Sequence, residues 1–193
     1  MTTNKKLVVA VIALSLALVC VVGATLAYLV AQSNVVTNTF TYGEISLELA
    51  EANKTDKDGL TFTGVVPGDQ INKDPTVTVV KGSEPCYVYV LIENQLGAAA
   101  TYNIDNATWE QVETFQNAVL YRYNRIVDAT TEAKDLPVFT LMNFANTLTK
   151  EDVAALKDKN VIITAYAHQS QHTSVAEANK SAAIWAEGVL ASN

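Results

Sequence analysis

Along residues 43–49 apolar and polar positions alternate, with Ile45, Leu47 and Leu49 on one side and Glu44, Ser46 and Glu48 on the other. A repeat of two with one apolar face marks a half-buried strand. Residues 35–42, rich in Val, Thr and aromatics, read as a strand before it, and Gly43 marks a kink between the two. Residues 60–66 form a short strand that Pro67-Gly68 ends. Residues 76–80 are a β-branched strand. Residues 86–93 (CYVYVLIE) are apolar on both faces, which predicts a central strand. Further strands fall at 119–127, with Arg122 and Asn124 facing out, at 137–144 and at 161–167. Residues 51–59 (EANKTDKDG) form a solvated loop.

Helix signals interrupt this pattern. Thr108 and Gln111 fit a capping box, and Trp109, Val112 and Phe115 at spacing three predict a short helix face. Thr149, followed by Glu151 and Asp152, predicts a helix over 150–158. Ser174 and Glu177 make a second capping box, ahead of an apolar stripe of Ala178, Ala182 and Trp185, with Gly188 as the C-cap. Many short strands joined by Gly/Pro turns predict an all-β fold, a sandwich or barrel, with short helical insertions.

The N-terminus obeys a different pattern. Lys5 and Lys6 precede 25 uncharged residues, 7–31. Basic residues, an apolar stretch and then small residues make a secretory signal helix. Thr25-Leu26-Ala27 sets small residues three and one before a cut after Ala27, leaving Tyr28 as the new N-terminus. The alternative is an uncleaved anchor, since about 20 apolar residues of helix span a bilayer. The expected organisation is a signal peptide over 1–27 and one β-sandwich domain over 28–193.

Charge narrows the partners. Without Lys5 and Lys6 the remainder holds 11 basic and 20 acidic residues, a net of −9. Such a surface repels nucleic acid and anionic lipid, so membrane contact is expected only through the signal segment. Cys86 is the single thiol after residue 27 and reads as a small buried apolar residue.

Catalytic chemistry is sparse. His168 and His172, the only histidines, are separated by Gln169, Ser170 and Gln171, so a His-Glu-x-x-His motif is missing. On a strand, residues four apart stand about 13 Å from each other, too far to share an ion. Both read as solvated turn residues. Asp56, Asp58 and Gly59 resemble a calcium loop without the final acid an EF-hand needs. Asn53 and Asn106 begin glycosylation-type triplets. Tyr87, Tyr89, Tyr121 and Tyr123 read as strand formers. No catalytic residue, metal or cofactor is expected, and the chain does not read as an enzyme.

The segment after the cut carries the sharpest expectation. Residues 28–40 (YLVAQSNVVTNTF) are uncharged and β-prone. A freed strand of this kind either starts its own sheet or completes a neighbour's. Val35, Val36, Thr39 and Phe40 are its expected assembly residues, within an assembly strand of about 28–42.

The border Gly23-Ala-Thr-Leu-Ala-Tyr28, Val36-Thr-Asn-Thr-Phe40, Ile45-Ser-Leu-Glu-Leu49, Pro67-Gly-Asp69, Lys73-Asp-Pro-Thr-Val77, Pro85-Cys-Tyr-Val-Tyr-Val90 and Ile163-Thr-Ala-Tyr-Ala167 together resemble the TasA/camelysin family, exported Gram-positive proteins matured by a SipW-type signal peptidase. The resemblance implies a jelly-roll sandwich secreted to the cell surface or extracellular matrix. It also implies self-assembly into fibres, a homopolymer built by strand complementation with signal peptidase as an earlier partner. Tyr28-Leu29-Val30 is more apolar than the residues usual after that cut. Two alternatives stay open: a secreted camelysin-like metalloendopeptidase, and a membrane-anchored surface adhesin.

Overall fold

The computed structural model describes residues 44–51 and 66–192. Its strands are β1 (Leu47–Glu51), β2 (Gln70–Asn72), β3 (Pro75–Val79), β4 (Ser83–Asn94), β5 (Ala100–Tyr102), β6 (Trp109–Thr114), β7 (Ala118–Tyr123), β8 (Val127–Ala129), β9 (Lys134–Pro137), β10 (Leu141–Phe144) and β11 (Val161–Gln169). Two helices join them, α1 (Lys150–Ala155) and α2 (Val175–Ser192). All described pairings are antiparallel.

β4 organises the molecule, for the reason its sequence suggests. It has no polar face, so both faces must be covered. Cys86, Val88, Val90 and Ile92 enter one core, while Tyr87, Tyr89 and Leu91 enter another. Alternation across the pleat thus feeds two cores from one strand. Each fully buried Val, Leu or Ile contributes about 1.5–3 kcal/mol. The main sheet runs β11-β4-β7-β6, with β8 pairing the start of β4.

Two three-stranded sheets, β1-β3-β9 and β2-β10-β5, supply Val77, Val79, Leu136, Met142 and Ala100 to the first core. They face the main sheet, which makes the fold an all-β sandwich. On the other face of the main sheet α2 buries Ala178, Ala182 and Ala186 against Tyr87, Tyr89, Leu91 and Leu120. At 18 residues α2 is a third layer rather than a short insertion.

Several expectations change. Residues 109–114 are strand β6, not a helix. Trp109 is fully buried in the first core and donates its indole N–H to the Pro137 carbonyl at 2.8 Å, whereas Val112 and Phe115 pack into the second core. Spacing three on a strand switches faces, and an irregularity between Gln111 and Glu113 assists the switch. The Thr108 hydroxyl donates to Asp105, not to a helix cap.

Arg122 does not face solvent. It lies under 10% exposed on the α2 side of the sheet, ion-paired to Glu110 and opposite Tyr89. Asn124 is exposed as expected. The strand expected at 119–127 ends at Tyr123, and Val127–Ala129 pairs with β4 separately.

The run 137–144 divides. Pro137 ends β9 on the sheet edge, where a missing N–H is tolerated, and β10 starts at Leu141 in the other small sheet. Buried Val138 and Phe139 bridge the step. The first strand starts later than expected and runs on to Glu51. The Pro67-Gly68 turn is present, with Gly68 at φ +85°, a left-handed conformation that favours glycine.

Both later helix caps form. Thr149 Oγ1 accepts from the Asp152 N–H at 3.1 Å, and the Asp152 carboxylate accepts from the Thr149 N–H at 2.8 Å. Ser174 and Glu177 repeat the arrangement. α1 is shorter than expected and stops at Ala155. Gly188 sits inside α2, not at its C-cap. The strand expected at 35–42, the calcium-like loop and Asn53 lie outside the described residues, as does all but Val66 of the strand expected at 60–66, and Val66 is in no strand.

Candidate assembly edge

Edge strands carry unpaired backbone N–H and C=O groups. β11 is the longest edge strand among the described residues. It pairs with β4 over all nine of its residues, from Val161 opposite Asn94 to Gln169 opposite Cys86, and no described strand pairs its other side. Its sequence, VIITAYAHQ, has no Asp, Glu, Lys or Arg.

The inner face of β11 is Val161, Ile163, Ala165 and Ala167. Each is only half-buried, although each packs against the first core. Their β4 neighbours Val88, Val90 and Ile92 are fully buried. β1 behaves alike. Leu47 is half-buried and Leu49 is 38% exposed, while their β3 partners Val79 and Val77 are fully buried. β1 lies close to β11. The two facing edges therefore present a seam of inward-facing, incompletely covered apolar side chains.

The end of β1 is pinned. Glu51 forms an ion pair with Lys73, both side chains about nine-tenths buried. The Lys73 N–H donates to the Thr140 carbonyl of the neighbouring segment. The second carboxylate oxygen of Glu51 has no hydrogen-bond partner. Losing either charge would strand the other away from water.

Behind β11, on its outer face, Tyr166 stacks on Trp185 of α2 with ring centres 5.0 Å apart and planes 18° apart. The Tyr89 hydroxyl donates to Asn179 of α2 at 2.9 Å. Burial first, and then the neighbouring tyrosines, raise the Tyr89 phenol above its ordinary value, only partly offset by Arg122. These contacts hold β11 and its neighbour β4 to α2 from behind and leave the β11 edge free among the described residues.

The other sequence-marked residues divide plainly. Cys86 is fully buried, and desolvation pushes its thiol up to about 11, which leaves it protonated and inert at neutral pH. His168 is half-buried within β11, edge-on to Tyr166, rather than in a turn. His172 is exposed in the turn at φ 59°. Asn106 lies in an exposed turn. Tyr87, Tyr89 and Tyr121 are buried, as strand formers should be. Thr25, Ala27, Tyr28, Val35, Val36, Thr39 and Phe40 lie outside the described residues.

The pattern of the family described as camelysin metallo-endopeptidase matches residues 2–187, nearly the whole chain. The chain belongs to the camelysin family. No curated protein and no solved structure matches it. Membership in this family, the TasA/camelysin family, supports an exported protein. No helix of the described residues is long and apolar enough to cross a membrane.

The family description implies a metal. Among the described residues of this camelysin-family chain no group of three or more His, Cys, Asp and Glu side chains could hold one. His168 and His172 are divided between a strand and a turn. The described donor set therefore does not fit a catalytic zinc, which needs three protein ligands and an open position.

Proposed function

We propose that this chain is exported, is cut after Ala27, and serves as a structural protein of the cell surface or extracellular matrix that polymerises by strand addition. The segment within residues 28–42 of one copy pairs with the free β11 edge of the next. Its apolar side chains, Val35, Val36 and Phe40 among them, cover the seam between β1 and β11. The observation that carries this reading is the charge-free nine-residue edge beside half-covered apolar side chains. A strand added there gains main-chain hydrogen bonds along the edge and apolar burial in the seam.

The test is a variant lacking residues 28–40, compared with the exported chain by electron microscopy and by mass measurement of the native N-terminus. A mass beginning at Tyr28, with fibres that vanish on deletion, is expected. Undiminished fibres from the truncated protein, or a retained Met1, would overturn the reading.

A second reading follows from the family description, a metalloendopeptidase. It requires chelator-sensitive casein hydrolysis that is lost in His168→Ala.

A further inference from the structure

The two ends of β11 fix which of its backbone groups reach the open edge. The Ser170 N–H donates to the Pro85 carbonyl at 2.9 Å, and the Gln95 N–H donates to the Asn160 carbonyl at 3.0 Å. Both pairs continue the register in which Val161 faces Asn94 and Gln169 faces Cys86. Hydrogen-bonded and non-hydrogen-bonded pairs alternate along an antiparallel ladder. The even-numbered residues of β11 therefore turn their N–H and C=O groups to β4. The odd-numbered ones, Val161, Ile163, Ala165, Ala167 and Gln169, turn theirs to the edge, where no described strand meets them.

This phase makes the strand complementary to itself. A second copy of β11, turned about a two-fold axis through the middle residue Ala165, sets odd residues opposite odd ones. Val161 then meets Gln169, Ile163 meets Ala167, and Ala165 meets its own twin. Each pair exchanges two main-chain bonds, about ten in all, and every edge group on both copies finds a partner. A slip of one residue sets odd against even and loses the ladder.

The side chains agree with that register. On the seam face bulky Ile163 meets small Ala167, so the half-buried apolar row of one copy is covered by the other. On the outer face Tyr166, its ring stacked on Trp185 of its own copy, meets the smaller Thr164. Like charges set directly opposite destabilise a strand pair. β11 has no Asp, Glu, Lys or Arg, so none meet, although the chain after residue 27 carries a net −9.

We propose that β11 is a homodimer interface, where two copies of this chain pair β11 with β11, antiparallel about Ala165, and join their main sheets into one. The pairing follows one strand about 30 Å long. That places it at the small end of specific interfaces, below about 1,200 Å², and makes the dimer reversible. The dimer does not depend on polymerisation. It occupies the edge assigned above to an incoming strand, so dimer and growing end are alternative states of one surface.

The test is sedimentation velocity of the exported chain, on the fraction left in solution after any fibres are pelleted. A species of about twice the monomer mass is expected, with a share that rises with concentration. Ile163→Lys should cut that share at least about tenfold. Cysteine pairing reads the register. Ala165→Cys sets two thiols on residues whose Cα atoms are about 5.5 Å apart, within disulfide reach, whereas Val161→Cys sets them about 27 Å apart. Mild oxidation should give a covalent dimer with Ala165→Cys and none with Val161→Cys. These two small changes answer the question even if Ile163→Lys fails to fold. A monomer at every concentration, a dimer indifferent to Ile163→Lys, or equal cross-linking at both positions would each overturn the proposal. None of these outcomes bears on the fibre test, which reads residues 28–40.

Discussion

Among the described residues, the two edges of the main sheet are built on opposite rules. β11 is regular, nine residues long and without Asp, Glu, Lys or Arg. β6, at the far edge, has six residues, an irregularity between Gln111 and Glu113, and exposed Glu110 and Glu113. A bulge and edge charges are the usual ways of stopping one sheet from pairing with another. Glu110 has a second task as the partner of nearly buried Arg122, so the charge on that edge is also tied to the interior. Among the described residues, one edge of this sheet is thus blunted and the other carries no such protection. Growth restricted to a single edge gives a head-to-tail filament rather than lateral clumping.

The largest expected effect comes from breaking the receptive edge. Ile163→Lys puts a charge on the inner face of β11, in the seam. Fibre yield by sedimentation should fall by more than about tenfold, while far-ultraviolet circular dichroism keeps its β signature. Fibres of undiminished yield would show that β11 is not the receiving edge. A smaller effect is expected from unblunting the other edge. Glu113→Val removes an exposed charge from β6 and should raise light scattering through lateral association. Unchanged scattering would mean that the irregularity alone protects this edge.

The smallest effect concerns the support behind β11. The Ser174 backbone N–H, and then its hydroxyl, hold the Glu177 carboxyl below its ordinary 4.5. A lowered folded value means the cap stabilises the protein fully above the ordinary value and is lost as pH falls through the folded one. Glu177→Gln should therefore lower Tm slightly at pH 7, and the gap from the parent should close as the pH drops below 4.5. A gap that persists in acid would contradict the cap. If α2 braces β11, the same variant will also shed some fibre yield at pH 7.

Much of the fold was legible because it depended on local pattern. β4 read as central because both of its faces are apolar, and it is. The Thr149 and Ser174 caps read correctly because a capping box is complete within four residues. Trp109, Val112 and Phe115 misled because spacing three fits both a helix face and a strand crossing an irregularity, and only pairing with β7 separates the two. Arg122 misled because a charge suggests water, whereas Glu110 across the pair lets it sit beneath α2. Gly188 misled because a glycine near a helix end is tolerated within the helix at modest cost.

For the candidate site the split was sharper. The proposed donor segment within residues 28–42 could be read directly, being uncharged and β-prone. The proposed receiver could not. Residues 161–167 read as a strong strand, but nothing in them says they lie at an edge.

The sequence by itself determined that this chain resembles a family of exported proteins, that its fold is all-β, and that β4 must be covered on both sides. Those properties follow from the identity and spacing of near neighbours. Tertiary structure alone decided which strand ends the sheet among the described residues and which apolar side chains there stay half-covered. Each of these depends on pairing partners distant in the chain, as Val161 finds Asn94 and Leu47 finds Val79. A strand becomes an edge through the absence of a neighbour, and its own residues do not encode that absence.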